Sequence, residues 1–283
     1  MNALINLMVS CKDQLNIVAT VASFIAHNKG SIVDADQHLD KESSFFFMRY
    51  QCIFNHSNIS PEQLAIDFQA IAKTFRMSFC FTDCYRKKKV VLLTSKESHC
   101  LEDVLYRTQF GELPCEIIAV ISNHETLADR VSWYQIPFHY IPVNKGNRNE
   151  HFKQVAHLLQ ELQPDLILLA KYMQILPEFI CQKYSNQIIN IHHSFLPAFV
   201  GAKPYYQAFI SGVKIIGATA HYVTKELDKG PIIDQETTRI SHRDNVNDFI
   251  RRGKNVEREV LARATLAHLE DRVIIHNNKT IIF

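Results

Sequence analysis

Two segments of the sequence place polar side chains at a spacing that could support acid–base chemistry. The first contains Asn190, His192 and His193 and lies at the end of the short run 187–191, which we predict to be a buried strand. Because alternate residues of a strand share a face, Asn190 and His192 are expected to point to one side, and His193 to the other. An amide and an imidazole could then act on the same atom. A single histidine would more often bond to loop backbone, but three such groups at a strand end favour a site.

The second segment, residues 217–231, combines a predicted strand with a turn-rich loop. The strand carries His221, and the loop carries Asp228 just before a Lys-Gly-Pro break, which is typical of a turn. Taken alone, an aspartate in this position is most often only a turn residue. Neither segment alone therefore indicates a catalytic site, but the two together do.

The elements that must position these segments follow two different patterns. Residues 1–84 read as strand, helix, strand, strand, helix, strand, which predicts a ferredoxin-like βαββαβ sandwich. From Val90 onward strands alternate with helices, which predicts a Rossmann-like, mostly parallel α/β sheet. The charged stretch 85–89 between them is interpreted as a solvated linker, so the second predicted domain is 90–283.

Within the second domain, apolar runs predict strands and amphipathic stretches predict helices. A long helix at 244–269 and a terminal hairpin at 272–283 are expected to end the chain. The remaining predicted helices are 100–110, 126–134 and 149–162, and the predicted strands are 90–94, 116–121, 138–143, 165–171, 187–191, 217–223 and 231–240.

The overall composition excludes several classes of protein. The 283 residues are 47% hydrophobic and 21% charged, as in globular proteins rather than disordered or fibrous ones. A net charge of +2 argues against a general binder of nucleic acid or membrane surfaces. No apolar run approaches the ~20 residues that span a bilayer. The seven cysteines are scattered and form no C-x-x-C motif, so we expect reduced thiols, no metal site and a cytoplasmic location.

Together, the two polar segments resemble the formyltetrahydrofolate-utilising enzymes. The pattern of that group is Asn-x-His, Leu-Pro and a distant Leu-Asp-x-Gly-Pro, found here at 190–192, 196–197 and 227–231. The paired-histidine form at 191–199, with Gly-Ala-Thr-Ala-His-Tyr at 217–222, is more narrowly similar to the formyltetrahydrofolate deformylase family. The resemblance covers nearly the whole chain, because those deformylases carry an N-terminal ACT domain of the βαββαβ type. It implies an α/β protein in which an ACT domain precedes a formyltransferase-fold domain.

The resemblance implies hydrolysis of 10-formyltetrahydrofolate to formate and tetrahydrofolate, which supplies formate for purine synthesis. Attack of water on the formamide carbon builds negative charge on oxygen, and Asn190 and a protonated His192 are the implied donors to that oxyanion. His192 would then pass a proton toward the leaving nitrogen, while Asp228 would orient the water and accept its proton. Neither a nucleophilic serine or cysteine nor a metal or cofactor is required, since the folate is substrate and product.

The resemblance also implies residues that bind the folate. Apolar side chains of the family's folate-binding segment would line a slot for the flat pterin, although core packing alone would explain them equally well. Arginine is frequent in the family where this chain has Gln174, so we expect a weaker contact with the anionic glutamate tail. The implied substrate-binding residues are Met173, Gln174, Ile175, Leu176, His193 and His221.

The first strand-to-helix turn differs from the usual family pattern, Asp-x-x-Gly. Asn16 occupies the place of that glycine. Asparagine enters positive φ readily, so the turn can persist, but its side chain occupies space that an amino-acid effector would need. We expect weak or altered amino-acid control, and a homo-oligomer that forms through this domain.

Two other functions remain open at this point. A ribotide formyltransferase has a glycine-rich loop after its first strand to hold phosphate, whereas residues 95–100 contain no glycine, and we expect no basic tRNA-binding domain after Leu269. A non-catalytic amino-acid or folate sensor would tolerate loss of Asn190, His192 and Asp228, all of which are present. These observations favour water as the acceptor of the formyl group.

Overall fold

The computed structural model describes residues 2–55, 59–144, 146–197 and 204–283. The chain forms two compact units, one of Met1–Lys87 with Glu270–Phe283 and the other of Lys88–Leu269. Ala198 and Phe199, which end the paired-histidine motif, lie outside the described residues. No helix in the described part of the chain is long and apolar enough to span a membrane, and none of the seven cysteines, all of which are described, forms a disulfide.

The first unit has the predicted βαββαβ order. Its elements are β1 (Ala3–Lys12), α1 (Ile17–His27), β2 (Gly30–Asp40), β3 (Phe45–Phe54), α2 (Pro61–Phe75) and β4 (Ser78–Asp83). The strands form one antiparallel sheet in the order β2-β3-β1-β4, which confirms the ferredoxin-like prediction. Alternate residues of β1 are buried and join side chains of α1 and α2 in a single hydrophobic core, as expected for a sheet covered on one face.

Local signals in this unit explain where its helices begin. Ser60 accepts a hydrogen bond from the backbone N–H of Gln63 at 3.2 Å, and Pro61 occupies the first turn of α2, where its missing N–H costs nothing. Asn16 stands immediately before α1 with φ 70°, the left-handed conformation expected for a residue in the position of a glycine.

The second unit contains a seven-stranded sheet in the order β11-β10-β9-β8-β5-β6-β7. The strands from β9 to β7 run parallel, whereas β10 is antiparallel to both its neighbours. The prediction of a mostly parallel sheet is therefore confirmed. The elements are β5 (Lys88–Thr94), α3 (His99–Gln109), β6 (Cys115–Ser122), α4 (Ala128–Ser132), β7 (Phe138–Tyr140), α5 (Arg148–Leu162), β8 (Leu166–Ala170), α6 (Glu178–Lys183), β9 (Ile188–His192), α7 (Pro204–Ile210), β10 (Ile215–Tyr222), β11 (Ile232–Arg239) and α8 (Val246–Leu269).

The predicted linker at 85–89 is too long, because β5 already begins at Lys88. The ammonium of Lys88 donates to the carbonyls of His268 and Leu269, both at 2.9 Å, at the last turn of α8. A cation at this end of a helix satisfies carbonyls that have no intrahelical partner and complements the helix dipole. The side chain of Lys88 is thus part of the second unit rather than a solvated spacer.

The end of the chain also differs from the predicted division, which placed 90–283 in one domain. The hairpin of β12 (Val273–His276) and β13 (Lys279–Ile282) groups with the first unit. Asp271, just before this hairpin, accepts hydrogen bonds from Thr82 at 2.6 Å and Asn6 at 3.3 Å, and its carbonyl accepts from Arg49. These largely buried polar groups satisfy one another, so the segment after α8 has its partners in the N-terminal sheet.

Candidate active site

The carboxyl ends of β8 and β9 and the loop after β10 surround a cavity of about 330 Å³. In open α/β sheets, ligands bind beyond the carboxyl ends of the strands. Every residue that the sequence predicted for the site lines this cavity: Met173, Gln174, Ile175, Leu176, Asn190, His192, His193, His221 and Asp228.

The loop that carries Asp228 is shaped by its Gly-Pro sequence. It leaves β10 at Tyr222 and folds back so that the backbone N–H of Tyr222 donates to the carbonyl of Pro231 at 2.9 Å. A Cβ on Gly230 would overlap the carbonyl oxygen of Tyr222, so this close return requires glycine. Asp228 itself has φ 56°, a left-handed conformation that aspartate tolerates better than most residues.

Pairing between β9 and β10 brings the two polar segments together. Asn190 lies opposite His221, and His192 lies opposite Thr219, in the antiparallel register. The hydroxyl of Thr219 donates to the carbonyl of Ser194 at 2.9 Å and accepts from the N–H of Leu196 at 3.0 Å. The threonine of the Gly-Ala-Thr-Ala-His segment therefore holds the chain that follows the histidines.

The carboxylate of Asp228 contacts two imidazoles. Its Oδ2 lies 3.4 Å from Nδ1 of His192, and its Oδ1 lies 3.7 Å from Nε2 of His221. Burial by itself would raise the pKa of this carboxyl, but hydrogen bonds from the two histidines outweigh it and hold the pKa well below its usual range. Asp228 is therefore ionised at neutral pH and can stabilise positive charge on either ring.

His192 presents a ring nitrogen that has no protein partner. Its side chain is buried, Nδ1 faces Asp228, and Nε2 has no hydrogen-bond partner among the described residues. With Nδ1 facing the carboxylate, Nε2 accepts a hydrogen bond when the ring is neutral and donates one when the ring carries both protons. Because the ring lines the cavity, Nε2 is suited to a bond with a ligand there.

The orientation of the Asn190 amide depends on His221. Nδ1 of His221 donates to the carbonyl of Tyr222 at 2.9 Å, and Nε2 lies 3.2 Å from Nδ2 of Asn190. A neutral His221 must accept at Nε2 from one N–H of Asn190, which leaves only the second N–H of that NH₂ group available. A protonated His221 would instead donate to the amide oxygen, because the two ends of an amide can exchange places. That second arrangement leaves the NH₂ group free to donate into the cavity.

The prediction that His193 faces away from Asn190 and His192 is wrong. Strand β9 ends at His192, so the alternation of side chains does not continue to the next residue. The two histidine rings are stacked, with centroids 5.2 Å apart and planes 25° from parallel, and both line the cavity. Burial, and then the nearby charge of Lys171, lower the pKa of His193 to about 4.

The predicted folate-binding segment divides into exposed and buried parts. Met173 and Ile175 are 58% and 52% exposed, so their apolar side chains are available at the cavity wall. Leu176 is buried and also belongs to the hydrophobic core of the sheet. The N–H of Met173 donates to the hydroxyl of Ser95 at 3.1 Å, and that hydroxyl donates to Asn123, which fixes the segment to the ends of β5 and β6.

Sequence reasoning missed a second cluster of polar groups in this unit, which we call the Glu257 cluster. It consists of Glu257 and its three donors Lys171, His99 and Tyr205. Oε2 of Glu257 lies 3.2 Å from Nζ of Lys171 and 2.8 Å from Nε2 of His99, and the Tyr205 hydroxyl donates to Oε1. Glu257 is 0% exposed. Its position on an amphipathic helix gave no signal of burial, and Lys171 had the position of an ordinary strand-ending residue.

Ligand atoms of His99, Cys100 and Glu257 lie within 4.8 Å of one another, the only such group among the described residues. Lys171 already places a cation on the same carboxylate. Burial also raises the pKa of the Cys100 thiol well above its usual value, which opposes the thiolate form that metals bind. The donor set therefore favours a self-contained ion pair, and the expectation that no metal is needed stays a prediction.

The chain is similar to known proteins in both sequence and fold. The Formyl transferase family matches residues 88–265. The chain is 45% identical over 282 residues to the formyltetrahydrofolate deformylase of Synechocystis sp., covering 100% of this chain and 99% of the relative.

Solved structures extend the comparison to the whole fold. The formyltetrahydrofolate deformylase of Pseudomonas syringae pv. tomato superposes with a TM-score of 0.97 at 48% identity, covering 100% of this chain and 95% of that one. Glycinamide ribonucleotide transformylase 1 of Symbiobacterium toebii is similar over 70% of this chain and 94% of its own, with a TM-score of 0.66 and 29% identity. The match to the deformylases, unlike that to the transformylase, includes the whole chain. The chain belongs to the formyltetrahydrofolate deformylase family.

Proposed function

We propose that this protein hydrolyses 10-formyltetrahydrofolate to formate and tetrahydrofolate. The observation that carries the proposal is the convergence of Asn190, His192 and Asp228 on one cavity, with Nε2 of His192 unpartnered there among the described residues. Membership of the deformylase family supports the same reaction. Formate released in this way supplies purine synthesis and balances the one-carbon folates.

In the proposed reaction, the formyl oxygen lies between the Asn190 amide and Nε2–H of His192. Water adds to the formyl carbon, and these two donors stabilise the negative charge that develops on oxygen. His221 has a positioning role here, because its Nε2 contacts the Asn190 amide while its Nδ1 is fixed by the carbonyl of Tyr222. The Asp228 carboxylate lies 3.7 Å from the same Nε2.

Asp228 orients the attacking water and takes up its proton, while His192 passes a proton to N10 of the folate as the C–N bond breaks. The carboxylate is ionised at neutral pH and lies 3.4 Å from His192, so proton acceptor and proton donor are adjacent. The products are formate and tetrahydrofolate, and no cofactor enters the scheme.

The pterin is placed against Met173, Ile175 and Leu227, the apolar side chains that are exposed around the cavity. Gln174 also lines the cavity but carries no charge. Lys225 lines the cavity on the opposite loop, with a side chain 65% exposed and 3.9 Å from Glu178, and is proposed to exchange that surface partner for the anionic glutamate tail. This arrangement predicts recognition of the tail by fewer charges than in relatives with arginine in place of Gln174.

A ribotide formyltransferase is the alternative, and one observation disfavours it. In such an enzyme the N-terminus of α3 would bind a phosphate. Glu97 lies two residues before this helix, and a hydrogen bond from Lys254 lowers its pKa, so the residue is ionised. His99 at the first turn is already bonded to Glu257. Negative charge and an occupied donor at this helix end oppose phosphate binding, which favours water as the acceptor.

Formate release from 10-formyltetrahydrofolate, with no acceptor added, tests the proposal. We expect stoichiometric formate and tetrahydrofolate, unchanged by added glycinamide ribonucleotide. Turnover that begins only with the ribonucleotide would identify a transferase. Binding of the folate without turnover under either condition would identify a sensor.

We further propose a cytoplasmic homo-oligomer with weak or altered amino-acid control. Asn16 has the backbone conformation of the glycine it replaces, but its side chain adds bulk at the turn where an effector would approach the backbone. Calorimetric titration of methionine and glycine into wild type and Asn16→Gly tests this. We expect stronger binding to the glycine variant. Tight binding to wild type that the substitution leaves unchanged or weakens would show that Asn16 does not obstruct the effector.

A further inference from the structure

The Glu257 cluster is a buried set of charges that the proposed reaction does not use. Ion pairs that are fully removed from water contribute little net stability, because desolvation offsets their attraction. Buried ionisable groups next to an active-site cavity are more often connected with function. Lys171 belongs both to this cluster and to the cavity wall, so the cluster can act on the site through that one ammonium.

We call Asp228, with Asn190, His192 and His221, the Asp228 cluster. His193 lies between this cluster and the Glu257 cluster. Its ring stacks on His192 at 5.2 Å on one side and lies 6.2 Å from the ring of Tyr205 on the other. Both His193 and Lys171 line the cavity. Any charge on His193 would therefore act directly on the neighbouring ring that is proposed to supply the proton.

The packing of Tyr205 against helix α8 holds the carboxylate of Glu257 in place. A Cβ on Gly253, one helical turn before Glu257, would overlap the ring of Tyr205. The glycine therefore lets the tyrosine lie against the helix, where its hydroxyl donates to the carboxylate. With all three donors engaged, the carboxylate holds the Lys171 ammonium at 3.2 Å.

We propose that Lys171, held by Glu257, is a positioning residue that opposes positive charge on the neighbouring His193 imidazole, so that His192 is the ring of the pair that serves as the proton donor. This inference rests on the proposed hydrolysis for the role of His192. Lys171 itself is not required to touch the folate.

Charged groups face His193 from several elements. Lys171 follows β8, His192 ends β9, Asp228 lies in the loop after β10, and Glu257 lies on α8. The two cations oppose a charge on His193 and the two carboxylates favour it, but each carboxylate is already engaged by other donors. Burial is the largest cause of the lowered pKa of His193, and Lys171 is the next.

Three variants test the inference, with two readouts. The readouts are NMR titration of the His193 ring and the pH profile of kcat/KM. Lys171→Met removes the cation, so we expect the His193 midpoint and the acid limb of the profile to rise by about one pH unit or more. Glu257→Gln removes a carboxylate but leaves the cation, so the His193 midpoint and the acid limb of the profile should both fall. The double variant removes both charges and should show an intermediate midpoint.

The double variant also keeps the test valid if Lys171→Met fails to fold, because it leaves no unpaired charge in the interior. Lys225→Met is the matched control, since it removes another cavity-lining lysine that is exposed and outside the cluster; its His193 midpoint should stay at the wild-type value.

Opposite shifts in the two single variants support the inference, because a purely structural role would move both in the same direction. An unchanged His193 midpoint in Lys171→Met would overturn it, and so would a midpoint in the double variant that is no higher than that of Glu257→Gln. If wild type releases no formate, the proposed function fails, yet the ring titration still decides whether Lys171 governs the charge of His193.

Discussion

The second unit contains two acidic side chains that each contact histidine, and their surroundings are opposite. Asp228 faces the cavity and contacts two imidazoles, and one ring nitrogen of His192 has no partner among the described residues. Glu257 is fully buried, and its two oxygens are engaged by three donors. Both carboxyls have lowered pKa values, so charge alone does not distinguish them.

The difference is where the unpartnered ring nitrogen of each cluster lies. His192 lines the cavity, whereas His99, whose Nδ1 also has no hydrogen-bond partner among the described residues, does not. In the Asp228 cluster, all four residues line a cavity that a substrate can enter, and Nε2 of His192 has no hydrogen-bond partner among the described residues. In the Glu257 cluster, the carboxylate already has its donors, so its effect on chemistry must be electrostatic and indirect. A perturbed carboxyl therefore indicates a reactive centre only when a neighbouring polar atom remains available to a ligand.

The largest expected effect is that of Asp228→Asn, which keeps the shape of the side chain and removes its charge. We expect hydrolysis to fall by ~10³-fold or more, because the variant loses both the proton acceptor and the stabilisation of the His192 imidazolium. Formate release measures this, and calorimetric binding of a tetrahydrofolate analogue should be retained. Near-normal turnover would show that the Asp228 cluster is not the reactive centre.

The next effect concerns the oxyanion donors. His192→Ala and Asn190→Ala should each lower kcat by ~10²–10³-fold, the usual loss when one such donor is removed. His193→Ala should cost less, because this ring is assigned no bond to the reacting atoms. Steady-state kinetics of all three variants provide the check. An equal or greater loss in His193→Ala would mean that the roles of the stacked rings are reversed.

Glu257→Ala should act mainly on stability, whereas the Asp228 substitution acts mainly on activity. We expect it to lower the free energy of unfolding by about 3–5 kcal/mol, since it leaves Lys171 as an unpaired buried cation. The loss of stability should exceed that in Asp228→Ala, whose neighbours face the cavity. Urea unfolding at neutral pH measures both variants, and equal losses would contradict the distinction between the clusters.

The pH dependence of unfolding follows from the same pKa shift. Burial opposes ionisation of Glu257, but bonds from His99 and Lys171 lower its pKa to about 2. A carboxyl with a lowered folded pKa stabilises the protein above its unfolded value of ~4.3, and that contribution is lost as pH falls through the folded value. Wild type should therefore lose stability progressively between about pH 4.5 and pH 2, and Glu257→Ala should show a shallower decline in urea unfolding.

The smallest expected effect is that of Gln174→Arg. A guanidinium at this position of the cavity wall should lower KM for a polyglutamylated folate a few-fold and leave kcat unchanged, because the added contact is equal in ground and transition states. Gln174→Lys is the matched comparison, with the same charge but no bidentate geometry. An unchanged KM in both variants would place the glutamate tail elsewhere.

Several features of the fold and site followed from short stretches of sequence. The βαββαβ order, the parallel second sheet and the left-handed turn at Asn16 depend on residue patterns and turn chemistry within a few positions. Asn190, His192 and Asp228 could be predicted as a set because two short motifs resemble a known family. The short helices α6 and α7 were not predicted, since six and seven residues hold too little periodicity to be recognised.

Other features were decided only when distant parts of the chain met. His193 turned toward the cavity because β9 ends one residue earlier, and the terminal hairpin joined the first unit because its polar groups found partners there. The Glu257 cluster unites Lys171, which follows β8, with residues from α3, α7 and α8, and His99 and Glu257 are 158 positions apart. Hydrophobic period and turn residues act locally, so the sequence by itself determined the elements and the reactive residue types. Burial and the pairing of charges depend on which elements pack together, so tertiary structure alone decided the state in which those residues are held.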